Sequence, residues 1–136
     1  MQELLDVIQE KDFLTQVEVE QFYAYAFAQY QSGLFEQAAD AFHLLCVRRP
    51  FEARFWFGLA ATLQEEQKYE RALTAWAMVA LLDKQDPYPH FHAAECAFSM
   101  NNLRDATFAL KETEARIDPI HPLRDRIPLL KEAWKL

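Results

Sequence analysis

The chain has 136 residues, 51% of them hydrophobic, and a formal net charge of −7. That length fits one domain with a sizeable core. The acidic balance and scattered basic residues argue against nucleic acid as a partner, because a duplex-binding surface needs a basic patch to neutralise phosphates.

No apolar run approaches the roughly 20 residues of a membrane span. Glu3 and Asp6 stand where a secretory signal needs basic residues. The expectation is a cytoplasmic protein that does not insert into membranes. Only two glycines and six prolines interrupt the chain, which favours long helices, since these residues are the least tolerated in helix interiors.

The first predicted helix lies near 3–11. Leu4, Leu5 and Ile8 form an apolar stripe along it, with Val7 beside them. A terminal helix this short is marginal alone and needs a surface to pack on, so these three residues are assigned to a homodimer interface. The acidic residues around them read as a solvated face. Helices are then predicted near 17–31, 35–48, 52–66, 69–83, 88–99, 103–116 and 122–134. Pro122 opens the last, where its missing N–H costs nothing. Pro128 is expected to kink or shorten it.

A 34-residue period runs through this series. Ala26, Ala60 and Ala94 recur at that step, as do Ala38, Ala72 and Ala106. Phe35, Tyr69 and Leu103 follow it, and so do Phe42, Trp76 and Leu110. Leu45 and Val79 keep the register, which Thr113 breaks. Each unit reads as a helix A, a turn and a helix B. Gly33 supplies the first turn, where a left-handed backbone is easily adopted, and Gln67 and Asn101 take its place later. The alanines let paired helices approach closely, and the larger residues fill the space between helices.

This spacing and chemistry resemble the tetratricopeptide repeat (TPR), with Trp56, Leu59, Ala60, Tyr69, Ala72 and Trp76 the closest match. The resemblance implies an all-α fold. Three tandem repeats would form a right-handed superhelix with extra helices at both ends. The whole chain, 1–136, is read as a single TPR domain. Residues 1–16 form the N-terminal helix, 19–118 the three units and 120–136 a C-terminal cap carrying Ile127, Leu130 and Trp134.

The sequence holds no HExxH, Gly-rich phosphate loop or nucleophile elbow, so no enzymatic activity, cofactor or metal is expected. Cys46 and Cys96 lack metal-type spacing and read as buried small apolar residues. His92, with Glu95 and Cys96 at helical spacing, is the best metal candidate. The simpler reading, a histidine satisfied beside a buried cysteine, is preferred.

Function then falls to the surface that the repeats create. Stacked helix pairs give a curved array whose concave wall is made by the A helices. Helical spacing puts Tyr23, Phe27 and Tyr30 on one face of the first A helix. The second places Arg54, Phe57, Ala61 and Gln64 there, and the third Tyr88, Phe91, Glu95 and Phe98. These aromatics are surplus to the repeat register, and an exposed apolar cluster of this size marks a binding site. The predicted peptide-binding set is Tyr23, Phe27, Tyr30, Arg54, Phe57, Ala61, Tyr88, Phe91, Glu95 and Phe98. A groove for acidic peptides would need several cationic side chains. This one offers mainly Arg54, opposed by Glu95.

Tyr25-Ala26-Phe27-Ala28-Gln29-Tyr30, Phe35-Glu36-Gln37-Ala38 and Leu45-Cys46-Val47 go beyond a generic repeat. So do Arg54-Phe55-Trp56-Phe57-Gly58-Leu59 and Phe91-His92-Ala93-Ala94-Glu95-Cys96. In this order and spacing they resemble the class II chaperones of bacterial type III secretion systems, over about residues 17 to 117. The resemblance implies a cytoplasmic chaperone of a Gram-negative bacterium, often homodimeric. It would hold an extended segment of a hydrophobic translocator in its concave groove and keep that cargo soluble and secretion-competent. The alternatives are a chaperone of a secreted effector or needle component, or a generic TPR interaction scaffold.

Overall fold

The computed structural model describes residues 2–3 and 15–136. From residue 15 onward the regular elements are seven α-helices. In chain order they are α1 (Gln16–Gln31), α2 (Phe35–Arg48), α3 (Ala53–Glu65), α4 (Tyr69–Leu82), α5 (Tyr88–Ser99), α6 (Leu103–Glu114) and α7 (Leu123–Trp134). These follow the predicted series closely. The expected stripe of Leu4, Leu5 and Ile8 lies outside the described residues. No helix among the described residues is long and apolar enough to cross a membrane.

Local chemistry sets the helix ends. Thr15 and Glu18 form a capping box at the start of α1: the Thr15 hydroxyl accepts from Glu18 N–H at 3.2 Å, and the Glu18 carboxylate accepts from Thr15 N–H at 3.1 Å. Gly33, Gln67 and Asn101 all take a positive φ, of 77°, 61° and 61°. Each closes its A helix in the same way. Leu34, Lys68 and Asn102 donate their N–H to Gln29, Leu63 and Ala97, at 2.9, 2.9 and 2.8 Å. Gly33, Gln67 and Asn101 donate to Tyr30, Gln64 and Phe98, at 3.0, 3.0 and 2.9 Å. Both bonds together satisfy carbonyls that the helix end leaves open, and a left-handed residue is what allows them.

The helices pack as α1 on α2, α3 on α4 and α5 on α6, with α2 against α3 and α4 against α5. All six register alanines are fully buried, at 0% exposure. Phe42, Trp76 and Leu110 are buried beside them. The third register weakens at its end. Phe35 packs edge-on against Tyr30 at 5.6 Å, whereas Leu103 is exposed. The counterpart of Tyr30 in the third repeat, Phe98, has turned to Trp134 instead.

The core divides in two. One cluster runs through the first two repeats from Val19 to Val79, and the second joins Phe91, Ala94 and Leu110 to Ile117, Leu123 and Ile127. The C-terminal segment thus caps the third repeat, as its apolar spacing predicts. Pro128 neither stops nor shortens α7, which continues to Trp134. Pro128 is exposed, and its missing N–H leaves only the Arg124 carbonyl without its helical partner.

Candidate functional site

Two A helices and what lies between them make a hollow of about 390 Å³, within the roughly 300–1,000 Å³ range of ligand pockets. From α1 come Tyr23, Phe27 and Tyr30. From α3 come Ala53, Arg54, Phe57, Gly58 and Ala61. Phe42 of α2, Val79 of α4, and Asp83 and Asp86 beyond α4 complete the lining.

Tyr23 organises the aromatic wall. Its ring centre lies 5.4 Å from Phe55, 6.1 Å from Phe42 and 6.4 Å from Phe27. The Arg54 guanidinium sits over both Tyr23 and Phe55, 4.8 and 4.7 Å from their centres, a cation–π arrangement. That guanidinium is already engaged. It pairs with both carboxylate oxygens of Glu20, one at 3.0 Å, and with Glu52 at 3.3 Å.

Gly58 explains how the hollow keeps its floor. A Cβ built there would lie 2.3 Å from Cε1 of Phe42, and the Phe42 ring is itself buried in the core. A glycine within a helix costs about 1 kcal/mol relative to alanine, and here that cost admits a close approach of ring to backbone. Gly58→Ala is therefore expected to destabilise the fold. Overpacking of about 1–3 kcal/mol outweighs the gain of up to about 1 kcal/mol in helix propensity. Urea unfolding should show a lower midpoint at unchanged slope; a raised midpoint would mean that the ring moves freely.

The third repeat behaves differently from the sequence expectation. Tyr88, Phe91, Glu95 and Phe98 were predicted on the same wall, yet none lines the hollow. Phe91 is 1% exposed, in the core with Ile117, Leu123 and Ile127 and beneath the Arg126 guanidinium at 5.1 Å. Phe98 stacks on Trp134 of α7 at 4.5 Å and 8°. Tyr88 packs against His92 at 6.4 Å and His121 at 5.7 Å. The C-terminal segment and α7 seal Phe91 in the core, while Tyr88 and Phe98 are half-buried against His121 and Trp134.

Glu95 is committed elsewhere. One of its oxygens lies 2.6 Å from Nδ1 of His92 and accepts from Nε2 of Gln64 at 3.2 Å. Gln64 in turn accepts from Nε1 of Trp76 at 2.9 Å. Burial pushes the Glu95 carboxyl up, but its hydrogen bond and charge interaction with His92, the Gln64 hydrogen bond and the Arg126 charge outweigh this and hold it below the usual range. The His92 ring stacks on Trp76 at 4.7 Å.

This arrangement uses His92 and Glu95 structurally, and no group of three metal-ligating side chains converges among the described residues. Cys46 and Cys96 are buried at 1% and 0% exposure, and burial pushes both thiols up to about 12. At neutral pH they are protonated, hence poor nucleophiles.

Sequence reasoning placed Tyr23, Phe27, Tyr30, Arg54, Phe57 and Ala61 on a common wall, and the structure brings all six around one hollow. It missed Gly58, Phe42, Val79, Asp83 and Asp86. Gly58 carried a signal, since an isolated glycine within a helical pattern marks a close approach.

Helix pairs repeated every 34 residues, with an aromatic hollow on the inner face, define a protein of the TPR class. The tetratricopeptide-repeat family profile matches residues 19–49 and 55–86. The chain is 36% identical over 121 residues to the low calcium response locus protein H of Yersinia pestis, covering 87% of this chain and 72% of that protein. It belongs to the class II translocator chaperones of bacterial type III secretion systems.

Solved structures agree. The Yersinia enterocolitica translocator chaperone SycD, in complex with a peptide of the translocator YopD, superposes with a TM-score of 0.83 at 33% identity, over 89% of this chain and 95% of that one. SycD has also been solved as an alternative dimer. PcrH of Pseudomonas aeruginosa, in complex with the chaperone-binding region of PopD, gives 0.83 at 34% identity, over 90% and 94%.

Proposed function

We propose that this chain is a cytoplasmic chaperone that holds an extended segment of a hydrophobic translocator in the hollow between α1 and α3. It keeps that cargo soluble and secretion-competent, acts as a single domain and performs no covalent chemistry. The observation that carries this reading is the contrast between equivalent repeat faces. Tyr23 and Phe57 line an open hollow, while Phe91, 34 residues beyond Phe57, is sealed in the core. An aromatic face left open in two repeats and closed in the third has the form of a binding surface. An extended segment contributes few anchor side chains, so such a wall must supply most of its binding energy.

Tyr23, Phe27, Tyr30, Arg54, Phe57 and Ala61 are the proposed cargo contacts. Arg54 acts through its planar stack on Tyr23, because its charge is spoken for by Glu20 and Glu52. Co-expression with candidate translocators, followed by affinity capture and mass spectrometry, tests the function. A translocator that stays soluble and co-purifies supports it. Capture of only abundant folded cytosolic proteins, with the translocators left in aggregates, overturns it.

The proposed state is a homodimer formed by the stripe of Leu4, Leu5 and Ile8. Deleting residues 1–12 is expected to halve the mass measured by light scattering. An unchanged mass relative to the full chain removes that segment from the interface.

A further inference from the structure

The lining of the hollow is electrostatically one-sided. Among the described residues of the lining, Arg54 is the one cation, and Asp83 and Asp86 are the acidic residues. The positive charge is largely cancelled by its pairs with Glu20 and Glu52. The Arg54 guanidinium thus meets the Glu20 and Glu52 carboxylates, and Asp83 and Asp86 add two more carboxylates to the lining.

The two aspartates make no ion pair among the described residues; the Arg116 guanidinium reaches their connection, donating to the Lys84 carbonyl at 2.7 Å, and is itself paired with Glu112. Asp83 closes α4 and is exposed, and its backbone carbonyl accepts from Asp86 N–H at 3.2 Å. Asp86 is half-buried, and its side chain accepts from the N–H of Tyr88, the first residue of α5, at 2.9 Å. Neither takes part in an ion pair with a described lysine, arginine or histidine. Lys84, between them in sequence, is not part of the lining. His90 interacts electrostatically with Asp86, but burial, with the Arg116 charge, holds its pKa below the ordinary histidine value, so it stays uncharged at neutral pH.

We infer that the cargo segment filling this hollow carries a lysine or arginine beside its apolar anchor, placed to meet Asp83 and Asp86. The inference rests on the groove reading above and adds the charge of the cargo to it. Complementary charge at a rim selects partners and register more than it adds affinity. The apolar wall accepts the anchor, and the acidic edge rejects segments whose neighbouring residue is Glu or Asp, because like charges placed together oppose binding.

The chaperone-binding region of PopD, which PcrH holds in its solved complex, is a concrete probe. A synthetic set replaces each of its positions in turn by Lys, Gln or Glu, and binding to the full chain is measured by fluorescence anisotropy. At least one position should bind about tenfold more tightly with Lys than with Glu at low salt, and this ratio should shrink as salt screens the exposed pair.

The Asp83→Asn/Asp86→Asn double variant should bring the Lys-to-Glu ratio to about one, and Asn at 86 keeps an acceptor for Tyr88 N–H. A chain that binds Lys and Glu peptides alike at every position overturns the inference but leaves the groove reading standing. A ratio that persists in the double variant also overturns it. Failure of the parent peptide and all its variants to bind overturns the groove reading, and this inference with it.

Discussion

Trp76→Ala is expected to cost about 3–5 kcal/mol of folding stability, the range for deleting a buried large aromatic. Three features put it there. The ring is 1% exposed at the register position that joins the second helix pair. Its faces and edges are occupied, with His92 stacked at 4.7 Å and Phe57 edge-on at 4.8 Å. Its Nε1–H ends the chain of hydrogen bonds through Gln64 to Glu95 and His92. Truncation leaves a cavity and removes the donor to the half-buried Gln64 oxygen, a net loss of about 0.5–1.5 kcal/mol for a typical hydrogen bond.

Trp76→Phe separates these contributions: it keeps a ring against His92 and loses only the donor and part of the volume. The alanine variant should lower the melting temperature by roughly 10–20 °C, and the phenylalanine variant by clearly less. Equal losses for both would mean that the hydrogen-bond chain dominates. A loss below about 1 kcal/mol in the alanine variant would remove Trp76 from the core.

How much of this was legible in the sequence depends on whether a feature repeats. The alanines, Phe42, Trp76 and the left-handed positions at 33, 67 and 101 are fixed by contacts inside one unit or between adjacent ones. A 34-residue period therefore exposes them directly. The hollow was legible for the same reason in the first two repeats.

The third repeat was misread because Phe91 and Phe98 occupy the same helical face as Phe57 and Gln64, and periodicity cannot say what lies over a face. What packs on them is α7, whose own apolar spacing (Ile127, Leu130 and Trp134) reads as a cap. Gln64, Glu95 and His92 were hidden differently. Their hydrogen bonds join α3 to α5 and depend on side-chain geometry across 31 residues, which no local pattern encodes. The acidic edge, from Asp83 and Asp86, lies in a connection between helices, where a helical-face argument has nothing to place.

Phe57→Ala is expected to weaken cargo binding by at least about 2 kcal/mol, the threshold of a hot spot. The ring is half-buried. The ring packs on Trp76 at 4.8 Å and on His92 at 6.2 Å, and it also lines the hollow with Ala61 and Gly58. That division sets two magnitudes against each other. The edge-to-face contact with Trp76 contributes roughly 0.5–1.5 kcal/mol beyond area burial, so removing Phe57 costs some stability. No ring of a described residue is stacked on the side that lines the hollow, and its apolar area is expected to be buried when cargo arrives. The variant should therefore lose less stability than Trp76→Ala while losing more binding than its stability loss alone explains. Thermal unfolding and cargo titration on both variants, under the same conditions, give the two numbers needed. If Phe57→Ala unfolds the protein as severely as Trp76→Ala, the ring belongs to the core. If it unfolds mildly and binds cargo unchanged, the aromatic wall is not where the cargo sits, and Tyr23 and Tyr30 lose their assignment with it.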